Sequence, residues 1–304
     1  MRLTSFQREG RSRLGVLIND RELVDVTEVA PLDTSLPISL MRQVIEHWDV
    51  IAPRLADKAA DSSAVTYPLE ELTLSPVVPD PTKVIAAPVN YIDHMDEMSQ
   101  DAHIDALGVF LKAPSSVIGH EGTVVLPYHD RRFDQEGELA VVIGRRASKI
   151  AVHEVDDVIF GYLPLLDITM RGGEDRSTRK SFDTFTPIGP EIVTKDEIGD
   201  YRSITLRCSV NGHERQHAKI ADLIWGVPEL VAYASSVMTL EPGDIVTTGT
   251  PAGVGPIQAG DEIVVELDGM LPLRVHVTAD GAVASPTRGA NRGPVPPPPP
   301  NENR

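Results

Sequence analysis

Apolar and polar positions alternate over 14–18 and again over 23–26, and the Asn19-Asp20 pair between them predicts the turn of a short β-hairpin. The period then lengthens. Leu40, Val44, Ile45, Trp48, Ile51 and Leu55 recur at helical spacing, which predicts a helix over about 39–60 that Pro53 should kink or end. Pro76, Pro79 and Pro81 crowd the following stretch, where the missing amide hydrogens suit neither a helix interior nor a central strand. Residues 76–82 therefore read as a proline-rich junction between a small N-terminal α+β domain over 1–75 and a main domain that starts at Lys83. In the main domain, short apolar runs at 123–126, 138–143, 162–168, 204–210, 244–248 and 262–267 predict strands, with one helix over about 221–238 among them. The regular helical alternation of a doubly wound sheet is missing, so the fold class reads as α+β. The main domain is expected to span 83–280. Residues 281–304, with Pro294 and the run 296–300, are expected to form an extended, disordered tail, either solvated or a ligand for a proline-binding module.

Composition narrows the function. The chain has 304 residues, with 28 Lys plus Arg against 45 Asp plus Glu and a net charge of −17. Such a field repels phosphate backbones and anionic lipid, so neither nucleic acid nor a membrane is an expected partner. A small anionic substrate would need a local positive field from a metal, Arg or Lys. Cys208 is the only cysteine, which rules out an intrachain disulfide or thiolate cluster and fits a reducing compartment. The first residues lack a signal-peptide core and no run reaches membrane-spanning length, so a cytoplasmic protein is expected.

Candidate chemistry begins at Glu136-Gly137-Glu138, at the mouth of an apolar strand. Period-two alternation points both carboxylates to one face, close enough to share a cation. A charged strand edge that discourages aggregation has the same appearance. Asp167 adds weight to the metal reading, because an acid amid apolar neighbours is costly unless paired or coordinated. Three oxygen ligands without nearby Cys or His-rich spacing suit one Mg²⁺ or Mn²⁺ and disfavour zinc. Arg171 and Lys180 follow, either neutralising buried acids or clamping a substrate carboxylate. His94 and Glu97, at i and i+3, share one helical face as a base pair or as a plain surface ion pair. The glycine-rich stretch holding Gly249, Thr250, Gly253 and Gly255 is either an anion-binding nest or a tight turn.

In this order the segments resemble the fumarylacetoacetate hydrolase family, in particular its acylpyruvate hydrolase, decarboxylase, isomerase and hydratase branch. The resemblance covers about 83–277. It rests on Asn90-Tyr91 with Asp93-His94 and Glu97, Phe110-Leu111-Lys112, Glu136-Gly137-Glu138-Leu139, Gly161-Tyr162, Asp167, Lys180-Ser181-Phe182-Asp183-Thr184, Pro187-Ile188-Gly189-Pro190, Asn211-Gly212, Leu240-Glu241-Pro242-Gly243-Asp244 and Gly249-Thr250-Pro251-Ala252-Gly253. It implies a mixed β-roll catalytic domain, usually in a homodimer, with Mg or Mn on Glu136, Glu138 and Asp167. It also implies His94 and Glu97 as a general-base dyad on a closing segment, Lys180 as a stabiliser of substrate and intermediate, and substrate contacts at Arg171, Lys112, Tyr91, Gly249 and Thr250.

The chain departs from the family pattern in two places. Where the family usually has Asn-Asp-Val-Ser-Ala-Arg-Asp, it reads Leu166-Asp167-Ile168-Thr169-Met170-Arg171-Gly172, and His120-Glu121 occupies a loop where glycine and proline are more usual. Retained metal binding with an unusual substrate is the expectation. The implied function is metal-dependent hydrolysis of a C–C bond in an acylpyruvate-like 2-oxo acid, in aromatic or related catabolism. Decarboxylation, isomerisation or hydration of a similar 2-oxo acid is the alternative enzymatic reading, and a catalytically silent metal- or ligand-binding protein of the same fold is the alternative from another class.

Overall fold

The computed structural model describes residues 1–29, 32–33, 35–289 and 296. The N-terminal hairpin is extended by a further strand. Arg2–Arg8 pairs with Arg11–Leu17, which pairs in turn with Glu22–Asp25. The predicted single helix is two, Leu40–Glu46 and Trp48–Ala60, and the chain breaks at His47 rather than at Pro53. The bend at His47 turns Trp48 edge-on to Phe160, with ring centroids 4.8 Å apart, while Pro53 is absorbed within the second helix.

The strands on either side of the proline-rich segment 76–82 share one sheet. Arg2–Arg8 pairs antiparallel with Ile192–Thr194, so the N-terminal strands extend the main sheet. Arg2 closes the seam with two 2.8 Å bonds to the buried carboxylate of Glu191. Leu3, Leu14, Val16, Val44 and Leu55 pack in one cluster with Ala140, Val142, Leu163, Leu165 and Ile245. At about 1.5–3 kcal/mol per fully buried aliphatic side chain, that shared core couples the N-terminal unit firmly to the rest.

From Ile192–Thr194 the large sheet continues through Ile159–Leu166, Gly137–Ile143 and Ile245–Thr247, each antiparallel to the last, then to a parallel Val84–Ala86 and an antiparallel Phe110–Lys112. Gly137–Ile143 and Ile159–Leu166 are buried along their whole length, which explains their nearly unbroken apolar sequences. Alternate residues serve opposite faces. Ala140 and Val142 face the N-terminal cluster, whereas Leu139, Val141 and Ile143 pack with Val227, Leu230 and Val231 of the helix Val227–Val237. That helix is shorter than the predicted 221–238, because Gly226 and Pro228 set its start and Ile220–Asp222 forms a separate 3₁₀ turn. A second sheet runs His213–Lys219, Thr205–Val210, Glu262–Leu267, Leu273–Thr278 and Gly122–Val125.

Residues 281–289, assigned from sequence to the tail, include a stretch that runs along the main domain: Ser285 and Thr287 accept hydrogen bonds from the buried Arg131 at 3.0 and 2.9 Å, and Gly173 donates to the Gly289 carbonyl. These polar anchors hold that stretch in place. Of the remaining tail, only Pro296 lies within the described residues. Among the described residues no helix is long and apolar enough to cross a membrane.

Candidate active site

Strand register brings the acids together. Gly137 pairs with Leu166 and Glu138 with Leu165, so Glu136 and Asp167 stand at matching ends of two neighbouring strands. Glu138 shares its parity with Ala140 and Val142, and Asp167 shares its own with Leu163 and Leu165, all of which line the N-terminal cluster. The acids thus continue one face of the sheet past the point where its apolar packing stops. Their nearest oxygen atoms lie within 4.8 Å of one another, and all three residues are buried.

Three buried carboxylates repel one another unless cations intervene. Lys180 donates to Glu136 at 2.6 Å and to Asp167, Lys112 donates to Asp167 and to the Phe185 carbonyl, and Arg171 bridges Asp134 at 2.7 Å and Glu136 at 2.9 Å. Burial would raise the carboxyl of Glu136, but Lys180 and Arg171 outweigh it and hold the group well below the usual carboxylate range. Glu138 has no such cation in contact. Burial first, and then the charge of Asp167, push it up to about 8, although Thr247 and the Gly249 N–H both donate to its Oε2. Burial opposes the charge on Lys180, yet Asp167 and Glu136 keep its ammonium above the ordinary lysine value, whereas burial prevails at Lys112 and lowers it. A purely oxygen donor set, buried and with one acid lacking a contacting cation, fits a hard divalent ion such as Mg²⁺ or Mn²⁺.

A cavity of about 50 Å³ opens over the acids, lined among others by Glu136, Glu138, His94, Arg171, Lys180 and Thr250. His94 lies on the short helix Ile92–Glu97 and is buried beneath it. Its Nδ1 is 3.1 Å from one oxygen of Glu97, whose other oxygen accepts the Gly253 N–H at 3.0 Å. The glycine-rich loop thereby fixes the acid that orients the imidazole. Gly253 cannot carry a side chain there: its φ is +100°, and a Cβ would fall 1.8 Å from the Arg215 carbonyl oxygen.

The structure gathers His94, Glu136, Glu138, Arg171, Lys180 and Thr250 around one cavity, whereas Lys112, Gly249 and Tyr91 do not line it. Lys112 is spent on Asp167 and Phe185, and Gly249 donates its N–H to Glu138, so both support the acids. Tyr91 is almost wholly buried, its hydroxyl has no hydrogen-bond partner, and it does not line the cavity. The Thr250 hydroxyl donates to the Gly137 carbonyl at 2.9 Å and accepts from Gln216 at 2.7 Å, so it braces the strand that carries Glu138. Reading the sequence alone gave no role to Asn90, Gln216, Arg176 or Arg179. Asn90 bonds Trp225 and the Thr248 carbonyl, tying the loop before His94 to the glycine-rich loop. Arg176 and Arg179 line the cavity. The spacing of Arg176, Arg179 and Lys180, i, i+3 and i+4, was the available signal.

Comparison with known proteins agrees with this geometry. The family model for the fumarylacetoacetate (FAA) hydrolase C-terminal region matches residues 83–278. Maleylpyruvate hydrolase of Aquipseudomonas alcaligenes is 40% identical over 274 residues, spanning 86% of this chain and 94% of that protein. The crystal structure of maleylpyruvate hydrolase from Sphingobium sp. SYK-6 in complex with manganese (II) ion and pyruvate superposes with a TM-score of 0.81 at 37% identity, covering 92% of this chain and 99% of that one. Oxaloacetate tautomerase YisK of Bacillus subtilis is 34% identical, over 88% of this chain and 97% of that protein. Matched by that family model over 83–278 and similar to these enzymes over most of its length, the chain belongs to the fumarylacetoacetate hydrolase family.

Proposed function

We propose that the protein hydrolyses the C–C bond of an acylpyruvate-type 2-oxo acid, releasing pyruvate and a carboxylic acid, in the catabolism of an aromatic compound. The observation that carries this reading is the His94–Glu97 pair, whose buried imidazole lines the same cavity as Glu136 and Glu138, two of the three clustered acids. Glu97 engages Nδ1 and leaves Nε2 of His94 to take a proton from water. The hydroxide adds to the acyl carbonyl carbon, the C–C bond breaks, its electron pair passes to the pyruvate fragment, and His94 returns the proton to that carbon. Lys180 holds negative charge on the 2-oxo acid end. A divalent ion on Glu136, Glu138 and Asp167 supplies Lewis acidity toward the oxygen atoms of the 2-oxo acid. The names of the Aquipseudomonas and Sphingobium relatives support this choice of substrate.

The test is incubation with Mn²⁺ and an acylpyruvate such as acetylpyruvate or maleylpyruvate. The diketone absorbance should fall with equimolar release of pyruvate, and Glu136→Gln should abolish both. A second reading, proton shuttling on a 2-oxo acid without hydrolysis, is favoured by the oxaloacetate tautomerase relative. It prevails if acylpyruvates survive while the enol and keto forms of oxaloacetate interconvert, or if decarboxylation, isomerisation or hydration products appear. A catalytically silent role prevails if His94→Ala leaves every product profile as in the wild type. A reducing, cytoplasmic setting is supported by Cys208 being the only cysteine, its buried thiol pushed up to about 12 and hence unreactive. A homodimer is the proposed assembly, and sedimentation of the purified chain tests it.

A further inference from the structure

The helix Arg176–Lys180 sets Arg176, Arg179 and Lys180 on one face, and all three line the cavity over the acids. They are not equally engaged. Lys180 is committed to Glu136 and Asp167. Arg179 gives only its Nε, to the Glu174 carbonyl at 2.9 Å, so both terminal nitrogens are unbonded. Arg176 makes no hydrogen bond or ion pair among the described residues. Burial first, and then repulsion from Arg171, weaken the hold of Arg179 on its proton against the attraction of Glu136. A chain of net charge −17 has acids to spare, yet among the described residues two guanidinium groups that line this cavity make no ion pair.

We propose that Arg176 and Arg179 together bind a second carboxylate of the substrate, at the end remote from the 2-oxo acid, so that the site selects dicarboxylic acylpyruvates over monocarboxylic ones. The inference rests on the acylpyruvate reading above and names the residues that choose among such substrates. Lys180 marks the 2-oxo acid end. Arg176 lies one helical turn away, roughly 6 Å along the axis, which suits a chain of a few carbons between the two acid groups. Guanidinium forks pair bidentately with a carboxylate, and an unsatisfied fork in a half-closed cavity penalises a substrate that cannot fill it. The site thus discriminates by a missing charge rather than by shape.

The experiment compares kcat/KM for maleylpyruvate and acetylpyruvate, with Mn²⁺, in the wild type, Arg176→Gln, Arg179→Gln and the double variant. The wild type should prefer the diacid, and the ratio of the two kcat/KM values should fall at least tenfold in the double variant, mainly through KM for the diacid. A ratio that holds, because both substrates lose equally or neither loses, overturns the inference. Arg176→Gln removes no hydrogen bond or ion pair among the described residues, so it keeps the test open should the Arg179 variant misfold. A second readout needs no turnover: maleate should raise the melting temperature of the Mn²⁺-loaded wild type and not that of the double variant, and equal protection of both overturns the inference. If the wild type cleaves neither acylpyruvate, the hydrolase reading fails, while maleate protection lost with the arginines still supports recognition of a second carboxylate.

Discussion

The backbone N–H of Asp167 donates to the carbonyl of Glu136 at 2.8 Å, so two of the three clustered acids are tied through the main chain as well as through Lys180. Their spacing is set by strand pairing and not by the ion they would hold. A site so preorganised resists relaxing when one charge is removed.

Asp167→Asn keeps the shape and deletes the charge on which Lys112 and Lys180 both depend. Breaking a buried ion pair costs about 3–5 kcal/mol. The metal-free variant is therefore expected to unfold at lower denaturant by several kcal/mol, and its Mn²⁺ affinity in calorimetry should fall by about two orders of magnitude or more. Wild-type affinity for Mn²⁺ in this variant would remove Asp167 from the ligand set.

The raised carboxyl of Glu138 fixes a pH dependence for the metal-free protein. Its folded value, about 8, lies above the ordinary 4.5, so between these values the fold retains a proton that the unfolded chain has lost. Stability contributed by this group is full below about 4.5 and declines as pH rises toward 8. Metal binding must expel the same proton. Calorimetry at pH 7 in buffers of different ionisation enthalpy should report release of close to one proton per ion, falling to about half near pH 8 and absent in Glu138→Gln. Zero release at pH 7 in the wild type would contradict the shift.

The acids were legible from sequence because charge is anomalous inside apolar strands: Glu138 and Asp167 interrupt runs that are otherwise buried throughout. Their convergence was legible only in part. Period-two spacing related Glu136 to Glu138, but the placing of Asp167 beside Glu136 depends on an antiparallel register about thirty residues of chain away. Lys112 meets Asp167 across 55 residues, and Arg2–Arg8 meets Ile192–Thr194 across nearly two hundred, contacts that no local pattern encodes. The prolines of 76–82 mark where regular structure stops, but local chemistry does not report that one apolar cluster runs across them. Thr250 and Gly249 lie on a loop beside Glu138, but hydrogen-bond capacity alone does not say whether a donor serves substrate or scaffold.

Gly253 links backbone strain to the dyad. A methyl group there meets the Arg215 carbonyl and also forces a left-handed φ on an L residue. Gly253→Ala should cost roughly 1–3 kcal/mol of stability. Because the shifted N–H no longer holds Glu97, kcat should fall more than KM changes. Equal stability with unchanged kcat would show that Glu97 needs no anchor from this loop.

Arg131 joins the C-terminal stretch to the loop that leads to the cations lining the cavity. One of its terminal nitrogens donates to Ser285, Thr287 and Glu174, the other to Glu174 and the Arg171 carbonyl, while Gly173 bonds the Gly289 carbonyl. The guanidinium first, and Thr287 after burial is overcome, hold the Glu174 carboxyl down to about 2. Ending the chain at Ala284 deletes two acceptors of a buried arginine and the brace on Gly173, a loss of about 1–3 kcal/mol for each charged bond left unmade. Amide exchange over 172–180 should accelerate and KM should rise several-fold with a smaller change in kcat, since Arg171, Arg176, Arg179 and Lys180 all depend on that loop. Ending it after Gly289 keeps these contacts and should keep exchange over 172–180 at the full-length rate. If both truncations exchange like the intact protein, Arg131 holds the loop without help from the C-terminal stretch.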